Sequence, residues 1–475
     1  MFLLHMNLTA IKGKVIFPIA LVTLLSMLFL GGSYVSDAPK QYSNVPETID
    51  VSADEPELGV SNFPDSTWQT ISTFQGYQTK IDPQKIPQGA NPMGQNTTVG
   101  NGDRISVRNY GYEVIGTVTT TEDAITSLHT FRKRNGDNIL MGSYGTNLSY
   151  FDEVAEEWAT LRSDGSDGAK YGYADYNINT DQRSYVYFGN AIDDFARWTG
   201  AITNVDTALA IGATTVSVND AFDFTATGSV RLCDTDLAYT SKTDTVITLT
   251  APSTIDCASG KPATQSIVEY PSNPKGNIYI NAKNLLFIAD TTSTPQAVFF
   301  SKYGDALTYL TTLVSESTAD AAGVFNLAEG GGGVIGFALD EGSIYIFKSS
   351  IIYKATLSDS LYTLEPLKPF DGKSQTIGAI AENTTFSGGN GVYFITPENE
   401  IMNLSRLEGI DYPQITPISD SIMPTTDNVS FENGTGLSFQ DRAYFAARSS
   451  DDVVVNDVIL VWNARVQVWD SPLIG

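Results

Sequence analysis

Two histidines, His5 and His129, and two cysteines, Cys233 and Cys257, are all the imidazole and thiol groups that 475 residues provide. His5 precedes an apolar run. His129 sits in Ser127-Leu128-His129-Thr130-Phe131, an alternating segment that reads as a strand, where an imidazole is expected to serve structure. One plausible base and no nucleophile elbow leave a Ser-His-Asp site without its parts. Gly330 to Gly333 is a four-glycine run with no Lys-Ser/Thr pair after it, so it reads as a turn entering a strand and not as a phosphate loop. Asp164-Gly165-Ser166-Asp167-Gly168 could offer carboxylates to Ca²⁺ but has no bidentate Glu at EF-hand spacing, and a plain turn is expected. Asp193-Asp194 is a carboxylate pair in an extended context, where neighbours face opposite ways. A solvated turn is the expectation there. The expectation overall is no catalytic centre, no cofactor and no metal.

The cysteines lie in one short segment, and a Cys233–Cys257 disulfide is open to them in an oxidising compartment; there is no CxxC and no zinc-type spacing. The net charge is −26. Such a surface repels phosphate, so specific nucleic-acid binding is not expected. The charge reads first as solubility, and more sharply as a wall that DNA would slide past without sticking. Asn96, Asn147, Asn383, Asn403, Asn428 and Asn433 head N-x-S/T strings, which arise readily by chance.

The elements that must position any site are strands. Tyr and Phe number 23 each and Gly 40, a bias towards strands and tight turns. One pattern occurs twice: Leu148-Ser149-Tyr150-Phe151-Asp152 with Trp158, and Ile459-Leu460-Val461-Trp462-Asn463 with Trp469. Each reads as a β-hairpin with an aromatic in the returning strand. Strand pairs recur between them. Taking Met141, Tyr187, Phe287, Tyr345, Tyr393 and Tyr444 as markers, the intervals are about 46, 100, 58, 48 and 51 residues, near the repeat of a four-stranded propeller blade once an insertion of about 60 residues is removed. Weaker strands are expected at Ile125 to Phe131, Gly333 to Leu339 and Ile377 to Ala381. The aromatics at strand spacing are expected in the core, a sugar-stacking surface being the minor reading. Ala191 to Trp198 fits two helical turns or a bulged strand.

The fold expected is all-β: a six- or seven-bladed β-propeller, interrupted after its second blade by a small β-module, with an N-terminal hydrophobic helix. The division is 1–40, hydrophobic anchor or signal; 41–103, an extended Pro-punctuated arm or linker; 104–204, the first propeller part; 205–264, the module; 265–475, the second propeller part. Strands from Ile105 to Ile115 are expected to close the ring. The apolar run Val15 to Leu30 follows Lys12 and Lys14. An uncleaved anchor contacting the membrane through 15–32, a cleaved signal and a mis-called start before Met27 all remain open.

The blade region resembles the β-propeller structural proteins of tailed phages, of the tail-nozzle or DNA-stabilisation type. The likeness is carried by Asn101 to Arg108, Leu285 to Asp290, Val298 to Asp305, Gly342 to Phe347, Val392 to Thr396 and the Trp462 hairpin. The insertion resembles a small β-module of phage tail proteins through Gly228-Ser229-Val230-Arg231 and Leu237-Ala238-Tyr239-Thr240. The resemblance covers about 370 residues, and its strings are individually degenerate. It implies a non-enzymatic virion protein of the tail or neck, oligomeric in assembly and bound to neighbouring protein subunits. The alternative is a membrane-anchored extracellular propeller that binds glycan or protein at a cell surface. A propeller hydrolase is weakest, since no Ser-x-Asp-x-Gly-x-x-Trp box occurs.

Overall fold

A computed structural model describes residues 125–474 except 154, 178–182, 311–320, 358–361, 368–376, 406–412, 451–452 and 454–455, together with short stretches at 76–78, 80, 90–91, 97–99 and 105–107. The expected anchor (1–40), and with it the N-terminal helix, lies outside the described residues, as does most of the arm (41–103).

The described chain is all-β, built of small antiparallel sheets apart from the short parallel pair Gly76–Tyr77 with Ala90–Asn91. Six of them are four-stranded meanders in sequence order. The first has strands Ile125–Arg132, Asn138–Tyr144, Asn147–Asp152 and Glu157–Arg162; the second Gly172–Tyr176, Tyr185–Gly189, Phe195–Trp198 and Val268–Tyr270. The third has Ile278–Ala282, Leu285–Ala289, Ala297–Phe300 and Gly323–Asn326; the fourth Gly336–Asp340, Ser343–Phe347, Ile352–Leu357 and Tyr362–Pro366. The fifth has Phe386–Gly388, Gly391–Ile395, Ile401–Ser405 and Gln414–Pro417; the sixth Ser430–Phe439, Arg442–Arg448, Val458–Asn463 and Val468–Ile474. Every marker residue of the repeat falls in the second strand of its sheet. These second strands are apolar on both faces because both faces are covered: Tyr185–Gly189, Leu285–Ala289, Ser343–Phe347 and Gly391–Ile395 are buried throughout. The two Trp hairpins occupy one position, the third and fourth strands of the first and sixth sheets. Phe151 pairs with Trp158 and Trp462 with Trp469, with ring centroids 5.7 and 5.3 Å apart.

Consecutive sheets bury apolar side chains between them. Phe131, Tyr150 and Trp198 join the first and second; Tyr187, Phe195 and Ile288 the second and third. Phe287, Phe337 and Ile346 join the third and fourth; Phe347, Phe394 and Leu404 the fourth and fifth; Tyr393, Phe445 and Trp469 the fifth and sixth. Burying apolar area stabilises by about 25 cal/mol per Å², and these joints are where the largest side chains are buried. The approach is close where the side chain is smallest. A Cβ on Gly172 would stand 1.8 Å from Asn277 O, and one on Gly378 2.1 Å from Lys348 O.

Three expectations change. The module interrupts the second sheet between its third and fourth strands, not after the second blade, because Val268–Tyr270 returns to pair with Phe195–Arg197. Its own sheet runs from Ile202–Asn204 to Pro262–Gln265 around a separate core that includes Val216, Phe224, Val230, Leu232 and Ile247. Residues 377–381 form no strand; the fifth sheet begins at Phe386, after the short helical turn Glu382–Thr384. Of 105–115 only Ile105–Val107 is a described strand, and it pairs with Thr97–Val99 and not with any of the six sheets. Thr97–Val99 and Gly76–Tyr77 pack instead on the sixth sheet's last strand. Ala191 to Trp198 is a turn followed by a strand, with no helix.

Candidate functional site

Residues of all six sheets border one cavity of about 310 Å³, the fifth sheet through the turn before its leading strand and the other five through or beside the leading strand itself. The lining comes in short runs of consecutive residues, Ser127 to His129 and Lys170 to Tyr173 among them. Ser127 and His129 come from the first sheet, Tyr173 from the second, Ile278 from the third and Phe337 from the fourth. Thr385, just ahead of the fifth, and Thr435 in the sixth complete the set.

His129 is the histidine that sequence reading assigned to structure. Its Nε2 lies 2.7 Å from Asp175 Oδ1, and its ring stacks on Tyr173 with centroids 4.9 Å apart. Asp175 also accepts from the Arg132 backbone N–H at 2.9 Å, so the pair ties the first sheet to the second. Beside it, Ser127 Oγ lies 2.5 Å from Ser143 Oγ and 2.9 Å from the Tyr173 hydroxyl. Burial pushes the Tyr173 phenol well above its ordinary range, against the hydrogen bonds from Ser127 and Ser143.

Two cavity residues had no signal in the sequence. Lys170 precedes the second sheet's leading strand, and Glu382 lies in the turn before the fifth's. They meet across the cavity, with Lys170 Nζ 2.8 Å from Glu382 Oε2. Burial raises the Glu382 carboxyl, Lys170 opposing and Asp290 adding. Burial likewise raises Asp290, with Asn277 and Lys170 opposing. Only the fold brings these residues together, more than 200 positions apart in the case of Lys170 and Glu382. A cavity bridged in this way is closed to anything as wide as nucleic acid.

The other candidates fall elsewhere. The Asp164–Gly168 turn docks on Asp193, whose carboxylate accepts from Ser166 N at 2.9 Å, Ser166 Oγ at 2.7 Å, Asn190 Nδ2 at 2.7 Å and Tyr171 Oη at 3.1 Å. Donors thus surround the group that a cation would need. Asp164 turns to Arg162 at 3.0 Å, and Asp194 to Lys275 at 2.6 Å. Among the described residues no three His, Cys, Asp or Glu side chains gather as a metal-ligand set. The glycine run is a turn into the fourth sheet, with φ of +83°, +60° and +63° at Gly330, Gly331 and Gly332. Lys348, wholly buried, secures it by donating to Leu327 O and Glu329 O, each at 2.7 Å. In the module Cys233 and Cys257 are disulfide-bonded, their Cα atoms 5.9 Å apart. The large aromatics at strand spacing, Tyr150, Tyr187, Tyr345 and Tyr393 among them, are buried in the sheet joints. Among the described residues no helix is long and apolar enough to cross a membrane.

No family model matches the chain, and no curated protein matches it. Among solved structures, apo AztD from Citrobacter koseri aligns over 64% of this chain and 82% of its own at 9% identity, with a TM-score of 0.28. AofleA from Arthrobotrys oligospora aligns over 72% and 84% at 10% identity, TM-score 0.33. A second AztD crystal structure from C. koseri aligns over 70% and 79% at 11%, TM-score 0.29. At these scores the likeness carries no argument about function; the all-β, propeller-like description rests on the strand order and ladders above.

Proposed function

We propose that the chain is a non-enzymatic structural protein of a tailed-phage virion, placed in the tail or neck and holding neighbouring subunits, and that its six sheets close into one ring. The observation that supports an assembly role is the mounting of the module. It leaves the second sheet at its outer side, has its own core and disulfide, and exposes Ile211 and Phe222 at 67% and 66%. Large apolar groups held out on a rigid β-module suit contact with another protein surface. Ring closure is supported by residues of all six sheets bordering one cavity. In this reading the acidic surface keeps DNA mobile at a passage formed between copies. Peptide mapping of purified virions tests the proposal. Recovery of this chain at constant stoichiometry is expected, and its presence only in host membrane fractions would overturn it.

A second reading, a membrane-anchored extracellular propeller that binds glycan or protein, is equally compatible with the Cys233–Cys257 bridge. Disulfides persist outside the reducing cytosol, on cell surfaces and on virions alike. Protease shaving of intact cells separates the two: release of 205–264 peptides from cells free of virions selects the surface reading.

A further inference from the structure

The five joints between consecutive sheets use one face of the first sheet and one face of the sixth. On the sixth sheet the opposite face carries Tyr444, Ala446, Ile459 and Val461, with Phe439 beside them. On the first sheet it carries Leu140 and Tyr144, which alternate with Met141, together with Ser149, Phe151 and Trp158, placed there by the ladders. Among the described residues no apolar cluster joins these two faces to each other or to any other sheet. Both sheets nevertheless border the central cavity, the first through Leu128 and the sixth through Leu437.

The two faces are shielded all the same. Tyr444, Val461, Tyr144 and Ser149 are buried within the single chain. The Trp158 indole N–H is shut off from water with no hydrogen-bond partner among the described residues, although a buried indole ordinarily finds an acceptor. The cover therefore comes from this chain and not from a second copy. Connectivity names the segment. Thr97–Val99 packs on the sixth sheet's last strand, the one farthest from the cavity, and pairs with Ile105–Val107. The chain then enters the first sheet at Ile125, in the leading strand beside the cavity. Residues 108–124 thus connect the outer side of one of these sheets to the inner side of the other. A four-stranded sheet is about 14 Å across, at about 4.8 Å between strands. The 17 residues of this segment can extend to about 55 Å, several times that width. Tyr110, Tyr112, Val114, Ile115 and Val118 give it the apolar side chains that two apolar faces require.

We propose that the seam between the sixth and first sheets is a docking site for the chain's own residues 108–124, which cover both faces and supply the acceptor for the Trp158 indole. The inference rests on the ring arrangement proposed above, which sets the two faces opposite one another, and not on the virion placement.

Photo-cross-linking of the full chain with p-benzoylphenylalanine in place of Tyr112 tests it. Intramolecular cross-links to peptides from 138–162, from 430–474 or from both are expected. Cross-links that map only to other sheets or to the module, or that join two chains, overturn the proposal. Carbodiimide coupling of Lys170 to Glu382, which meet across the cavity, reads the ring separately. Coupling there with no cross-link from position 112 to either sheet overturns the docking and leaves the ring standing. Hydrogen exchange is the second measurement. Amides of 108–124 should exchange at least tenfold more slowly in the chain than in a synthetic peptide of residues 104–128. Phe439→Asp, on the sixth sheet's side of the seam, should abolish that protection, and Phe222→Asp, on the module, should leave it intact. Exchange at the peptide's rate in the wild-type chain, or full protection retained in Phe439→Asp, overturns the proposal as well. If Phe439→Asp does not fold, the cross-links and the wild-type exchange decide it.

Discussion

Replacing Asp193 with Asn should destabilise the protein at neutral pH and do so progressively less as the pH falls. Burial alone would raise this carboxyl. The hydrogen bonds from Ser166 N–H, Ser166 Oγ and Asn190 Nδ2, with the Arg162 charge, outweigh it and bring the group from 3.8 down to about 2. That is about two pH units at 1.36 kcal/mol each, or about 2.5 kcal/mol gross. The group is partly open to water, which screens the interaction, and about 1–1.5 kcal/mol is the expected net. A carboxyl whose folded value lies below its unfolded value stabilises the fold fully above the unfolded value, and loses that contribution as pH falls through the folded one. The Asn variant should therefore melt about 1–2 °C below wild type at pH 7. The gap should narrow between pH 4 and pH 2, where wild type becomes protonated. Thermal unfolding followed by circular dichroism at pH 7, 4 and 3 measures it. A gap that stays constant over this range, or no gap at pH 7, refutes the argument that charge-assisted bonds at Asp193 hold the Asp164–Gly168 turn to the second sheet.

Three further outcomes follow from the packing. The Cys233→Ser, Cys257→Ser double variant opens a bridge of sequence separation 24; chain entropy puts the loss at about 3 kcal/mol, and hydrogen exchange should rise within 202–265 but not in the six sheets. Gly172→Ala forces a methyl against Asn277 O, a backbone atom that can move only with the third sheet, so a loss of about 3 kcal/mol is expected by urea denaturation; a loss under 0.5 kcal/mol would mean that the joint is loose. Lys348→Met removes two charge-assisted bonds to Leu327 O and Glu329 O, offset in part by relief of a buried charge. About 2 kcal/mol should be lost, with raised proteolysis at Gly330 to Gly333 as the local sign.

The strands and their repeat were legible because both faces of each second strand are buried, which writes runs such as Leu285-Leu286-Phe287-Ile288 into the sequence. Hairpin position was legible for the same reason: Trp158 and Trp469 each need an aromatic partner across the ladder. The insertion point was not. Val268-Glu269-Tyr270 is short, carries a charge and is half exposed, so nothing in its pattern says that it returns to a sheet left 70 residues earlier. The 377–381 segment misled because Ile377, Ala379 and Ile380 are apolar for packing, not for pairing: Ala379 is buried between the fourth and fifth sheets without joining a ladder. The cavity was invisible for a different reason. Lys170 and Glu382 sit among ordinary surface residues in sequence, and what makes them a pair is the convergence of non-adjacent sheets. His129 could be read as structural, yet its partner Asp175 lies 46 residues away and has no motif to mark it.

The point of insertion also explains how a second core can be added without loosening the first. Phe195 to Arg197 pairs with Val268 to Tyr270 in the second sheet. Immediately beyond, Ile202–Asn204 pairs with Pro262–Gln265 in the module. The chain segments on either side of the crossover are antiparallel partners in both sheets, so the ends of the insertion lie close together at little cost in loop closure. The crossover is held by side chains from three directions. Trp198 Nε1 donates to Gln265 O at 2.7 Å, and Gln265 in turn holds Thr225 and Tyr239 inside the module. From the first sheet's hairpin, Lys133 donates to Gly200 O at 3.3 Å and pairs with Asp223. The Lys133 side chain is only 8% exposed, where an ion pair resists screening by salt. A module fixed by strand pairing on both sides of the crossover, an indole and a shielded lysine cannot swing as on a flexible linker. Its exposed Phe222, adjacent to Asp223, is therefore held at a fixed place relative to the six sheets.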